Sequence, residues 1–248
     1  MQMPNTAPVA PAAMPGPMDL LRLVMRFNLH PEADLHPSWL PANWPARHRS
    51  VARMGSAGRA VLADMLRREQ VPGHSQPPAP SLAQPPAQPH TAADYNFDSR
   101  LKRLALLDAA SLRRLAAYLG FCAHLPLFKL RGGAGLQIRR QARRFDRDAV
   151  DFVLDRVPQL TELRMDSTVV QQRPMSTGRV VLDRGYRLLL GTASSEGALV
   201  QGRLKHKLPR RISALSVPAF EPRQALQLNE LMLSCIVPER LPQWDWLF

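Results

Sequence analysis

The stretch Leu136-Gln137-Ile138-Arg139-Arg140-Gln141-Ala142-Arg143-Arg144-Phe145-Asp146-Arg147-Asp148-Ala149-Val150-Asp151-Phe152 settles the fold class. At about 100° per residue, Ile138, Ala142, Phe145, Ala149 and Phe152 gather on one side and Arg139, Arg140, Arg143, Arg144 and Arg147 on the other. A strand repeats every second residue, so apolar positions three and four apart would point to both of its faces; only a helix collects them. The segment is therefore amphipathic helix with a cationic back. It is one helix, or two breaking near Asp146, whose short carboxylate is suited to cap the second.

Working outward, the same spacing recurs. Upstream, Asp108 is placed to cap a helix carrying Leu112, Leu115, Ala116 and Leu119, and Asp98 one carrying Leu101, Leu104 and Ala105. Gly120 marks an end or a bend, and Leu125 to Leu130 leads into Arg131-Gly132-Gly133-Ala134-Gly135. Those glycines suggest a phosphate cradle only at first sight. No Lys-Ser/Thr follows and no strand precedes, so the expected role is a turn between helices. Downstream, Leu160 to Val170 is open between helix and strand, while Val180 to Leu190 and Ser195 to Leu208 are helical. Pro209-Arg210-Arg211 is a break, Glu221 to Val237 a further helix, and Pro238 to Phe248 a short tail.

The N-terminal third differs. Residues 1–17 are rich in Pro and Ala with no apolar period, which predicts disorder. Met18 to Phe27 has helical spacing, and a loop dense in Pro follows, holding Trp39 and Trp44. Ala46 to Gln70 returns to helix, weakened by Gly55 and Gly58. Seven prolines in Val71 to Ala93 then read as an extended linker. The predicted organisation is a disordered segment 1–17, an N-terminal helical unit 18–70 with its Trp/Pro loop, a Pro-rich linker 71–93 and a main helical domain 94–248. The fold class is mainly α: an irregular multi-helix domain with a small N-terminal helical and loop unit and disordered Pro-rich segments.

Composition agrees. A chain of 248 residues, 45% hydrophobic, can build one substantial core or two small ones, and aromatics at 6% disfavour a β fold. The formal charge of +13 is mostly arginine and makes anionic partners plausible: nucleic acid, an acidic protein face or lipid headgroups. Compositional drift towards Arg, Ala and Pro explains the same charge without function. Two cysteines, Cys122 and Cys235, stand far apart in apolar helical sequence, which predicts reduced thiols. The start lacks the basic and apolar regions of a secretory signal, and no run approaches the ~20 apolar residues of a membrane span. A cytoplasmic protein is expected.

Nothing local announces catalysis. The histidines are scattered, Cys122 and His124 lie two apart and so on different sides of a helix, and no metal-ligand spacing occurs. There is no Gly-x-Ser-x-Gly and no cysteine at an electropositive helix start. The expectation is a non-enzyme with no catalytic, cofactor or metal residues and no small-molecule substrate. What remains are contact candidates: Arg139, Arg140, Arg143, Arg144 and Arg147, read as a solvated face or an electrostatic dock, and Trp39, Trp44, Trp244 and Trp246, read as structural anchors or exposed hot spots. Replacing Arg139, Arg140 and Arg143 by Glu is expected to weaken a partner contact without unfolding the domain.

Three stretches carry a family likeness. Met25 to Pro41 resembles an Arg-Phe-x-x-x-Pro opening followed by Leu-His-x-x-x-Leu-Pro. Leu112 to Leu154 is similar to a central region with Leu-Ala-x-x-Leu-Gly, an apolar-His pair at Ala123-His124 and a Leu-Arg-x-Gly turn at Leu130 to Gly132. Leu241 to Phe248 resembles a Pro-x-Trp-x-x-Leu-Phe ending. In this order they resemble the SctK family (YscK, PscK, OrgA, MxiK) of type III secretion accessory proteins. The Pro-rich start, the 71–93 insertion and the extra glycines of the central turn depart from that pattern. The resemblance implies a helical adaptor in the bacterial cytoplasm, peripheral to the inner membrane at the injectisome base. Its implied partners are the cytoplasmic domain of an SctD-like ring protein, an SctQ-like pod protein and, indirectly, SctL and SctN. A basic nucleic-acid-binding regulator and an exported type III effector or regulator are the alternatives.

Overall fold

Asp108 and Asp146 each open a helix. The Asp108 carboxylate accepts the Ser111 backbone N–H at 2.7 Å, and that of Asp146 accepts the Ala149 N–H at 2.9 Å, each satisfying a donor that a helix start leaves unpaired. Asp146 itself is extended (φ −155°), so the decisive stretch is two helices. The computed structural model describes residues 16–45, 50–69, 93–157, 160, 162–163 and 165–248. The elements are α1 (Pro17–Leu29), α2 (Ser56–Glu69), α3 (Arg100–Arg103), α4 (Ala109–Ala123), α5 (Leu125–Phe128), α6 (Gly133–Phe145), α7 (Arg147–Arg156), α8 (Thr168–Gln172), α9 (Thr177–Thr192), α10 (Ala198–Lys207), α11 (Arg210–Ser213), α12 (Pro222–Glu230) and α13 (Val237–Arg240). Short 3-10 turns join several of them. Among the described residues there is no strand; the protein is mainly α. Of the stretches expected to be disordered, 1–17 and 71–93, residues 1–15 and 71–92 lie outside the described residues, while Pro17 opens α1.

At the centre α4 packs on α9 more extensively than any other two elements. Leu112, Leu115, Ala116, Tyr118, Leu119, Phe121 and Cys122 of α4 are buried on all sides of the helix. Glycine allows the contact. A methyl group on Gly185 would strike the carbonyl of Ala116, and one on Gly120 the carbonyl of Val181. Gly120 therefore neither ends nor bends α4, which runs on to Ala123; an interior glycine costs about 1 kcal/mol of helix propensity, and here the close backbone approach offsets it.

Three other expectations shift by a residue or a turn. Ser99, not Asp98, caps α3. The helix expected from Ser195 is a 3-10 turn, Ala193–Glu196, then α10, because Gly197 takes φ +97° between them. The helix expected over Glu221 to Val237 widens to π-helical turns at Leu231–Ile236 before α13.

The N-terminal unit has a small apolar core of its own, Leu35, Leu40, Met54, Leu62 and Leu66, with Trp39, Trp44 and Val51 packed on it. Its first helix instead joins the large core. Phe27 of α1 meets Phe97 edge-on at 5.2 Å, and the Asn28 amide both donates to the Asp94 carbonyl at 2.8 Å and accepts the Asp94 N–H at 2.9 Å. The following loop is tied to the end of α10: the His36 N–H donates to the His206 carbonyl at 2.9 Å, and the buried Lys207 ammonium pairs with Asp34 at 3.1 Å while donating to the Leu107 carbonyl at 2.8 Å.

Candidate interaction surface

The turn before α6 sets which way its arginines face. Gly132 takes φ +88°, a left-handed conformation that suits glycine, and α6 starts there. Gly135 is then pressed so closely on the Leu130 carbonyl that a methyl group would not fit. With Ile138 and Ala142 also buried, one side of α6 is fixed on the core. Phe145, expected on that side, lies at its rim, 39% exposed, its ring covering Gly178.

The five arginines fall into two sets. Arg139 bends back over the turn and donates to the carbonyls of Phe128 at 2.8 Å and Leu130 at 2.6 Å, groups that the end of α5 leaves without helical partners. Arg143 and Arg147 share Asp151, at 2.8 and 3.4 Å. Arg140 and Arg144, one turn apart on the outer side, make no ion pair or hydrogen bond within the described residues. They line a shallow open groove of about 380 Å³ with Gly133, Leu136, Gln137 and Gln141. Every lining residue belongs to α6. Leu136, which the helical wheel passes over, is 63% exposed in the middle of this cationic arc; an apolar residue on the polar side of the wheel was the signal for it.

The tryptophans are spent largely inward. The Trp39 indole N–H donates to the Leu208 carbonyl at 2.9 Å, and its ring meets His206 edge-on. Trp44 is half-buried on the small core. Trp244 donates to the Ser111 hydroxyl at 2.8 Å, at the first turn of α4. Trp246 is half-buried and bonds within its own turn to the Gln243 carbonyl. Residues Pro242–Leu247 form a 3-10 helix, so Trp244 and Trp246 do not share the face that an extended tail would give them. A different surface is apolar: Met18, Leu21, Met25 and Leu29 run along the outer side of α1, 61, 49, 39 and 47% exposed.

Buried polar groups sit elsewhere. His124 is fully enclosed; its Nε2 accepts from Arg184 at 2.9 Å, and the same guanidinium group holds the Asp166 carbonyl. Burial, then the charge of Arg184, pushes the His124 pKa down to about 4, so the ring is neutral at pH 7. Glu32 and Arg203 are 5 and 6% exposed, and among the described residues one buried oxygen of Glu32 and two buried nitrogens of Arg203 find no hydrogen-bond partner, although Arg203 lies over the Phe27 ring. Burial raises the pKa of Cys122, which keeps it a thiol and a poor nucleophile. Among the described residues no helix is long and apolar enough to cross a membrane.

No protein-family model matches the chain, and neither a curated protein nor a solved structure matches it.

Proposed function

We propose that this chain is a non-enzymatic adaptor of the type III secretion sorting platform, working in the bacterial cytoplasm at the base of the injectisome. In this reading it joins the cytoplasmic domain of an SctD-like ring protein to an SctQ-like pod protein, and through the pod to SctL and SctN.

One observation carries the reading: the three stretches that resemble the SctK family are the ones that close this fold on itself. Trp39 of the first reaches the carbonyl of Leu208. The second supplies α4 to α7, the centre of the large core. Trp244 of the third bonds Ser111 in α4, and the Leu247 carbonyl accepts from Arg103 at 2.8 Å. Motif residues that fasten their stretches onto the rest of the fold are those a family with divergent surfaces has to share. An adaptor also needs separate surfaces of different chemistry, and α1 and α6 present one apolar and one cationic.

The test is genetic and biochemical. Tagged protein should co-purify the ring and pod homologues encoded with it, and deletion of its gene should abolish pods and secretion. Intact pods and normal secretion in the deletion strain would overturn the reading.

A further inference from the structure

Three of the five arginines of the cationic side have partners inside the molecule; Arg140 and Arg144 have none within the described residues. The difference follows from angle. At about 100° per residue Arg139 stands roughly 60° from Ala142, close enough to the buried side to reach the turn before α6, while Arg140 and Arg144 stand at the middle of the outer side. No acidic residue occurs on α6. Two guanidinium groups at i and i+4 repel each other, and Leu136 one turn earlier keeps 63% of its surface in water. The groove holding all three is lined by α6 alone, so no other described element covers it.

We propose that the outer side of α6 is a docking site for an acidic segment of a partner protein, which sets carboxylates against Arg140 and Arg144 and an apolar side chain against Leu136. Charge complementarity selects an anion, and arginine forks hold carboxylates with two parallel bonds. Leu136 selects a polypeptide among anions. A nucleic-acid backbone has nothing apolar to lay on it, and no aromatic ring lines the groove to stack a base. One leucine between Gln137 and Gln141 is too small an apolar area to enter a bilayer. The inference deepens the adaptor reading and rests on it for the existence of a protein partner, not for the place or chemistry of the contact.

The probe is a fluorescent peptide of about 16 residues, longer than the roughly 12 Å from Leu136 to Arg144, with two Glu and one Leu recurring on one helical side; a scrambled peptide of the same composition is the reference. Full-length protein should bind the patterned peptide at least about tenfold more tightly than the scramble. R140E/R144E should lose at least about tenfold and L136S about threefold, whereas R143Q/R147Q, which removes the arginines paired with Asp151, should change affinity less than about twofold. Unchanged circular dichroism and melting of R140E/R144E separate lost binding from lost fold. Equal affinity for patterned and scrambled peptides, or an unaffected R140E/R144E, would overturn the site. So would tighter binding of duplex DNA or of phosphatidylglycerol vesicles with the same arginine dependence. If peptide binding fails while the deletion strain still lacks pods, the docking site falls and the adaptor stands; binding intact with normal secretion in that strain reverses the outcome.

Discussion

Helices α4 and α6 are nearly the same length, 15 and 13 residues, and both lie on the same core, yet they are used in opposite ways. From Leu115 to Ala123 α4 is covered all round: α9 crosses it at Gly120 and Gly185 and α7 lies on another side, while the C-terminal turn covers part of its first turn through Trp244. α6 is covered on one side only, where its own Gly135, Ile138 and Ala142 face the core. A helix covered all round spends its side chains on stability, and any change to it is felt throughout the fold. A helix covered on one side leaves the other free for contacts that cost the fold little. Substitutions should therefore separate into large effects on α4 and its neighbours and small ones on the outer side of α6.

The largest effect is expected at the crossing of α4 and α9. Gly185→Val would drive a side chain into the Ala116 carbonyl, and because backbone meets backbone there, neither helix can yield without parting from the other. The cost should exceed about 3 kcal/mol, lowering the melting temperature by roughly 10 °C in a chain of this size. Gly133→Ala, in the first turn of α6, places its methyl group in open space and should be neutral or gain about 0.5 kcal/mol from the unfolded chain's lost freedom. Similar melting shifts for the two would remove the distinction between the helices.

That distinction was only half legible in the sequence. Periodicity and composition point to α4 and the mainly helical class, and residue type to the Asp108 cap, because a cap and its helix are neighbours along the chain. Gly120 reads locally as an end or bend because its reason, the Val181 carbonyl, is remote in sequence. The π-helical turns at Leu231–Ile236 have no local signature. The wheel found the cationic side of α6 but could not sort its arginines: the Arg147–Asp151 pair is visible as i, i+4, whereas the hold of Arg139 on two carbonyls depends on how the Gly132 turn folds back. The triple Glu replacement of Arg139, Arg140 and Arg143 would thus disturb that turn and the Asp151 pair as well as a surface. The tie between α1 and residues 94–97 crosses the expected linker, and no local pattern marks it.

A smaller effect should appear with acid at the end of α4. His124 follows Ala123 directly and stays neutral because it is enclosed beside Arg184. Its pKa in the fold, about 4, lies below the usual 6.5, so the unfolded chain takes up the proton first as pH falls. The neutral ring's contribution is intact above pH 6.5, declines through the interval and is lost by about pH 4, a total on the order of 3 kcal/mol. Urea titrations between pH 7 and 4.5 should show stability falling by up to one proton's slope. His124→Gln, whose amide oxygen can still accept from Arg184, should flatten that part of the profile; an unchanged profile would place the titrating group elsewhere.

The smallest effects divide α6 against itself. Arg139→Gln removes charge-assisted bonds to the Phe128 and Leu130 carbonyls and should cost about 1.5 kcal/mol. Replacing Arg140 and Arg144 together by Gln removes no bond to the described residues and relieves a like-charge pair at i, i+4, so stability should stay level or rise by about 0.3 kcal/mol, most visibly at low salt. The opposite signs matter more than the sizes. A charge pair that weakens its own helix contributes nothing to the fold, and a variant that gains stability while losing affinity for an acidic peptide is the behaviour expected of a contact site. Destabilisation by the double replacement would instead make Arg140 and Arg144 part of the fold, and the contrast between the two sides of α6 would disappear.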